Sequence, residues 1–142
     1  MRLTLQGLRL AYPGADLATI RDLDLVVEPG RLTALLGPSG SSKTTVMKLI
    51  AGHLDPDAGE IRLGDRSLLG LPPERRRVAM VFQDPLLFPH LTLAGNVGFG
   101  LKLRGLPPAQ IAAEVQAMLE RVQLAGLGDR RPHQLSGGQQ QR

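Results

Sequence analysis

The sequence has no cysteine anywhere in its 142 residues, which excludes disulfides and thiolate metal sites. Its three histidines, His53, His90 and His133, are too scattered to suggest a shared metal. Aromatic side chains are limited to Tyr12, Phe82, Phe88 and Phe99, a poor supply for stacking on nucleic-acid bases. Long hydrophobic runs are missing too. The longest stretches, such as residues 78–82, fall far short of the roughly 20 apolar residues that a membrane-crossing helix needs. The first residues, Met1-Arg2-Leu3-Thr4-Leu5-Gln6, lack the long apolar centre and small-residue cleavage site of a secretory leader. A soluble or peripheral chain is expected.

What remains is enough for a core. Hydrophobic residues make up 42% of the chain, and its length suits one domain or part of one. The net charge of +4 would accommodate an acidic partner, but charge alone identifies none. The densest basic run, Arg75-Arg76-Arg77, follows Pro72-Pro73-Glu74 and precedes an apolar segment, so it reads as a solvated loop feeding a sheet. With so few stacking residues, nucleic acid is not the expected partner.

Leu3, Leu5, Leu8 and Leu10 alternate with polar residues except for a phase slip at Gly7, the pattern of an edge-type strand with a bulge. Leu23, Leu25 and Val27 repeat the alternation and stop at Glu28-Pro29-Gly30, so the two runs should pair antiparallel. Residues 32–36 form a short apolar run without alternation, as expected of a strand buried on both faces. From Lys43, the spacing of Val46, Leu49 and Ile50 predicts a helix that ends around Ala51-Gly52. Ile61 and Leu63 mark another short strand, and residues 78–82 a second two-sided one ending at Gln83. Residues 84–108 mix prolines and glycines, with one short helix near Leu93 to Val97. Pro107-Pro108 opens the clearest helix, with Ile111, Val115, Met118, Leu119 and Val122 on one face. The expected organisation is residues 1–83 as an antiparallel β subdomain with the first part of a nucleotide-binding core, and 84–142 as a helical subdomain.

Strand 32–36, the loop Gly37-Pro38-Ser39-Gly40-Ser41-Ser42 and the helix from Lys43 reproduce the context of a phosphate-binding loop. Successive backbone N–H groups can wrap an anion, the helix N-terminus adds partial positive charge, and the Lys43 ammonium reaches the outer phosphates. Thr44 supplies a hydroxyl for magnesium, and Thr45 a further phosphate contact. Ser42 stands where the pattern has glycine. A positive φ there costs on the order of 1 kcal/mol and predicts weaker nucleotide binding than in a Ser42→Gly variant, whereas a negative φ makes serine harmless.

Near the end stands Leu135-Ser136-Gly137-Gly138-Gln139-Gln140-Gln141-Arg142, which resembles the signature sequence of the ABC ATPase family. Without the phosphate loop, Ser-Gly-Gly would also serve as an ordinary helix cap. The resemblance covers essentially the whole chain. It implies an α/β P-loop NTPase core with an antiparallel β subdomain and a helical subdomain, the C-terminal part of the core lying beyond these residues. Gln83 is similar to the glutamine of the family's Q-loop, which touches the magnesium site. Tyr12 lies where the family places a ring that stacks on adenine, although packing alone would also account for a tyrosine at a strand end. The run from Gln83 to Thr92 resembles bacterial importer ATPases of the sugar, sulfate, polyamine and iron type.

For function, the resemblance implies the ATP-binding, energy-coupling subunit of an importer, peripheral at the cytoplasmic face of the membrane, with ATP and magnesium as cofactors. It implies a head-to-tail dimer in which Ser136, Gly137, Gly138 and Gln139 of one subunit close over ATP held by the other's phosphate loop. Transmembrane permease subunits are the remaining partners, and residues 85–105 with the Q-loop are expected to meet them. The family's acidic magnesium-binding strand, catalytic glutamate and switch histidine lie beyond the signature, and neither Glu120 nor Asp129 takes their place by motif. This stretch alone is therefore expected to bind ATP weakly and not hydrolyse it. Two other readings stay open: a soluble ABC ATPase acting on nucleic acid or ribosomes, and a non-catalytic ATP-binding module.

Overall fold

The computed structural model describes residues 1–12, 14 and 19–142, which form two compact units, Met1–Val81 and Phe82–Arg142. In the first unit, alternation produces a sheet. Strands β1 (Leu3–Leu10), β2 (Ile20–Val27), β3 (Ala58–Leu63) and β4 (Arg66–Ser67) assemble in the order β2-β1-β3-β4, every pairing antiparallel. The expected pairing of the first two runs is present, with Leu3 opposite Val27 and Leu10 opposite Ile20.

The strand with the slip is interior, not an edge, because β3 pairs along its other side. The bulge itself is real. Gly7 adopts φ 55°, the register shifts between Leu5 and Leu8, and the Gly7 N–H donates to Asp24 Oδ1 at 2.7 Å. That one extra residue restores the pleat so that Leu5, Leu8 and Leu10 are all buried. They pack with Ile20, Ile61 and Leu68 against Val46, Leu49 and Ile50 of helix α1 (Lys43–Ala51).

α1 ends as its sequence predicts. Gly52 takes φ 87° and, with His53, donates its N–H to Lys48 O, a closure that favours glycine.

Two expected strands are not formed. Residues 32–36 and 78–82 carry no strand pairing, and Leu32, Leu36 and Val81 are exposed almost completely. A strand apolar on both faces is stabilised by neighbours on both edges and layers on both sides. Neither run pairs with β2 or β4, the two edges of the sheet.

The second unit is helical. α2 (Leu93–Leu103) is longer than the short helix expected, and α3 (Pro108–Arg121) begins at the predicted proline pair. Thr92 caps α2 by accepting from the Gly95 N–H, while the Leu93 and Ala94 N–H groups donate to Arg130 O and Gly128 O. Three groups of the first turn are thereby satisfied, which offsets the low helix propensity of Gly95, Gly98 and Gly100. Leu93, Val115, Leu119, Leu124 and Leu135 form the core of this unit. Met118, expected on the buried face, is 42% exposed. Asn96 fastens the preceding loop: its Oδ1 accepts from Phe88 N–H at 2.8 Å and its Nδ2 donates to Thr92 O at 2.9 Å. Helix α4 (Gly137–Gln141) closes the chain.

Candidate functional site

The loop of residues 37–42 leads into α1 and folds around a cation. Lys43 Nζ donates to Gly37 O at 2.7 Å, Pro38 O at 2.6 Å and Ser41 Oγ at 3.1 Å, which uses all three of its protons within the loop. Ser41 N–H closes the turn onto Pro38 O. The ammonium is thus held among neutral oxygens at the mouth of the helix. A phosphate entering that mouth offers it charged and stronger acceptors.

The front of α1 suits an anion in a second way. Ser42, its N-cap residue, makes no side-chain cap bond, and the first turn holds no acidic residue. The helix's leading N–H groups and their partial positive charge therefore face an incoming ligand without competition from a carboxylate of that turn. Ser42 has φ 63° and ψ 15°, so the position does require the left-handed conformation that glycine enters most easily. Its hydroxyl donates instead to Thr19 O at 3.1 Å. Thr44 is exposed beside Lys43. Thr45 is buried, with its Oγ1 3.4 Å from the Tyr12 hydroxyl. Tyr12, Ser42, Lys43 and Thr45 are therefore gathered about one helix end.

The other end of α1 is fixed by a residue that charge patterning misassigns. Arg76 belongs to no solvated loop: it is 1% exposed, and its guanidinium donates to Leu49 O at 2.7 Å and Leu71 O at 2.8 Å, with Asp55 at 3.7 Å. Burial pushes its pKa below the ordinary value while Asp55 acts the other way, and an arginine stays charged under such a shift. A Cβ at Gly52 would collide with Arg76 Nε. The cation thus complements the negative end of the helix whose positive end carries the loop.

Gln83 and the signature residues belong to the second unit. Gln83 is exposed in a bend. Ser136 caps α4 in a reciprocal pair, accepting from Gln139 N–H at 3.3 Å while its own N–H donates to Gln139 Oε1 at 2.9 Å. As an acceptor in this bond, the Ser136 hydroxyl keeps its proton available for donation. A Cβ built on Gly137 or Gly138 meets nothing within 4 Å, so packing within this unit does not account for glycine at either place.

A loop that binds its own lysine in front of an uncapped helix, beside an antiparallel sheet and followed by a helical unit, defines a P-loop NTPase of the nucleotide-binding-cassette kind. The family model for ABC transporters matches residues 20–142. The chain belongs to that family. It is 54% identical over 123 residues to the spermidine/putrescine import ATP-binding protein PotA of Methylococcus capsulatus, a match covering 87% of this chain and 32% of that protein. It is also 46% identical over 140 residues to the putative 2-aminoethylphosphonate import ATP-binding protein PhnT of Salmonella paratyphi A, covering 99% of this chain and 37% of that one. The chain thus spans about a third of the length of these relatives. Among solved structures, it resembles the ATP-binding cassette MJ0796 in a dimeric, post-hydrolysis state bound to ADP and Pi. That similarity has a TM-score of 0.85 and 25% identity, and covers 97% of this chain and 65% of the other.

Proposed function

We propose that this chain is the nucleotide-gripping part of the energy-coupling subunit of an importer, working at the cytoplasmic face of a membrane. The carrying observation is Lys43, whose ammonium is preset among three loop oxygens at the uncapped start of α1. In this reading, residues 37–42 wrap the β- and γ-phosphates with backbone N–H groups, Lys43 neutralises them, and Thr45 adds a hydroxyl. Tyr12, 41% exposed at the end of β1, offers its ring to the base.

The Thr44 hydroxyl and the Gln83 amide oxygen are hard oxygen donors of the kind magnesium accepts, and both side chains are exposed. Bound at Thr44 with the phosphates, magnesium would offset charge on the transferring group. Ser136, with its hydroxyl proton available, and the unobstructed Gly137 and Gly138 suit close approach to a triphosphate held by a second copy. The importer reading draws support from the named function of both relatives. Among the described residues, no helix is long and apolar enough to cross a membrane, so transport would need membrane-spanning partners. A groove of about 570 Å³ lined by His90, Phe99, Lys102, Leu103 and Ile111 suits the apolar face of a partner helix.

Titration calorimetry with magnesium-ATP tests the grip. Lys43→Ala is expected to weaken binding by about 10- to 100-fold, the loss of a charge-assisted contact. Equal affinity in the variant rejects the reading. Phosphate release by the purified 142-residue chain is expected to stay at background, since the family's catalytic carboxylates lie beyond the signature. Robust magnesium-dependent release would overturn that part.

A further inference from the structure

Three glutamines in the last stretch of the chain return their side chains to the backbone around Ser136. Gln134 Oε1 accepts from the Arg131 N–H at 2.8 Å, and Gln139 Oε1 accepts from the Ser136 N–H at 2.9 Å. Gln140 acts as a donor instead. Its Nε2 gives one proton to Pro132 O at 2.9 Å and the other to Leu135 O at 3.2 Å.

Two of these glutamines meet on a single peptide unit. Leu135 O and the Ser136 N–H are opposite edges of one planar group, so Gln140 holds its oxygen while Gln139 holds its hydrogen. A plane held at both edges cannot swing about its flanking bonds, and it sets the direction in which the Ser136 side chain leaves the backbone. Upstream, the Leu135 side chain is part of the core of this unit and Pro132 is buried. The Gln140 amide therefore ties an exposed turn to a fixed part of the molecule.

The turn itself supplies little of this order. Ser136, Gly137 and Gly138 are all exposed, and the two glycines have no side chain with which to pack. Helix α4, at five residues, is too short to be stable on backbone bonds alone. Without the side-chain bonds, Ser136 would sample several directions and lose that freedom on meeting a ligand.

We propose that Gln140 is a positioning residue: its amide sets the Leu135–Ser136 peptide so that the Ser136 hydroxyl is preorganised to donate to a phosphate held by a second copy of the chain. This rests on the reading of Ser136, Gly137 and Gly138 as the closure over a partner's triphosphate. Gln140 needs no contact with the nucleotide. It acts through Ser136, whose hydroxyl accepts from the Gln139 N–H at 3.3 Å and keeps its own proton for the ligand.

The test measures self-association of the 142-residue chain in magnesium-ATP by sedimentation velocity. Titration calorimetry, at chain concentrations below the association midpoint, gives the ATP affinity of the single chain. Gln140→Met keeps the length of the side chain and removes its donors. It is expected to weaken ATP-dependent association by about three- to tenfold, the range of one net hydrogen bond, with single-chain ATP affinity unchanged. Gln140→Arg, which retains donors, should recover most of the loss. In a Ser136→Ala background, Gln140→Met should have an effect of less than about twofold, because the hydroxyl it positions is gone. A merely structural role would instead weaken association equally in both backgrounds. Far-UV circular dichroism checks folding, and Gln140→Ala serves as a second donor-free variant whose smaller side chain cannot crowd the turn.

Unchanged association in the folded Gln140→Met and Gln140→Ala variants, or an equal loss in both backgrounds, overturns the proposal and leaves the closure reading standing. Association that survives Ser136→Ala undiminished rejects that reading and the proposal with it. A wild-type chain that binds magnesium-ATP without associating does the same and leaves the grip of Lys43 intact. Absence of ATP binding in the wild type removes the nucleotide site on which both depend.

Discussion

Two kinds of apolar run occur among residues 1–82, and they behave oppositely. β1 and β2 alternate, pair with each other and bury Leu5, Leu8, Leu10 and Ile20. Residues 32–36 and 78–82 are more uniformly apolar, yet they join no strand of the sheet and leave Leu32 and Val81 exposed. Local hydrophobicity is therefore not what makes a strand. An alternating strand needs one covered face, and α1 covers the leucine face of β1. A uniformly apolar strand needs two covered faces and two paired edges, four conditions that lie outside itself.

Four substitutions sharpen or break this contrast. Ile61→Ala, at a fully buried position opposite Leu5, should cost the most, about 3 kcal/mol in urea unfolding. Arg76→Met keeps much of the side-chain bulk but leaves Leu49 O and Leu71 O without their donor. It should cost about 2 kcal/mol by the same measurement. A cost near zero would mean that water replaces the guanidinium and that the helix end is less enclosed than its 1% exposure indicates. Leu32→Ser and Val81→Ser should each change stability by less than about 0.5 kcal/mol, because neither side chain is covered. A loss of about 1 kcal/mol or more at either position would show these runs packed in solution and erase the distinction between the two kinds.

Much of the architecture could be read before any coordinates. The slip at Gly7, the glycine stop after Ala51 and the proline start of α3 each announce themselves through backbone chemistry confined to one or two residues. α2 runs further than its sequence suggests because its three glycines argue locally against a helix, while its support comes from carbonyls at Gly128 and Arg130, more than 30 positions away in sequence. β4 is only two residues long and has no period to detect. In the candidate site, the glycine-rich loop and Lys43 were legible because their spacing carries the chemistry. The sign of φ at Ser42 was not, since the motif alone permits either; nor was Thr19, which acts through a carbonyl that every residue possesses. Arg76 was the plainest miss. Three consecutive arginines look alike in sequence, and only the open carbonyls at the end of α1 single out the middle one.

The space for that arginine is made by a residue 24 positions earlier. Any side chain at Gly52 would enter the volume filled by Arg76, and Gly52 must also sustain φ 87°. Positions 52 and 76 therefore cannot drift independently. A bulkier residue at the first becomes admissible only alongside a shorter one at the second, and that exchange would give up the cation that seals the helix.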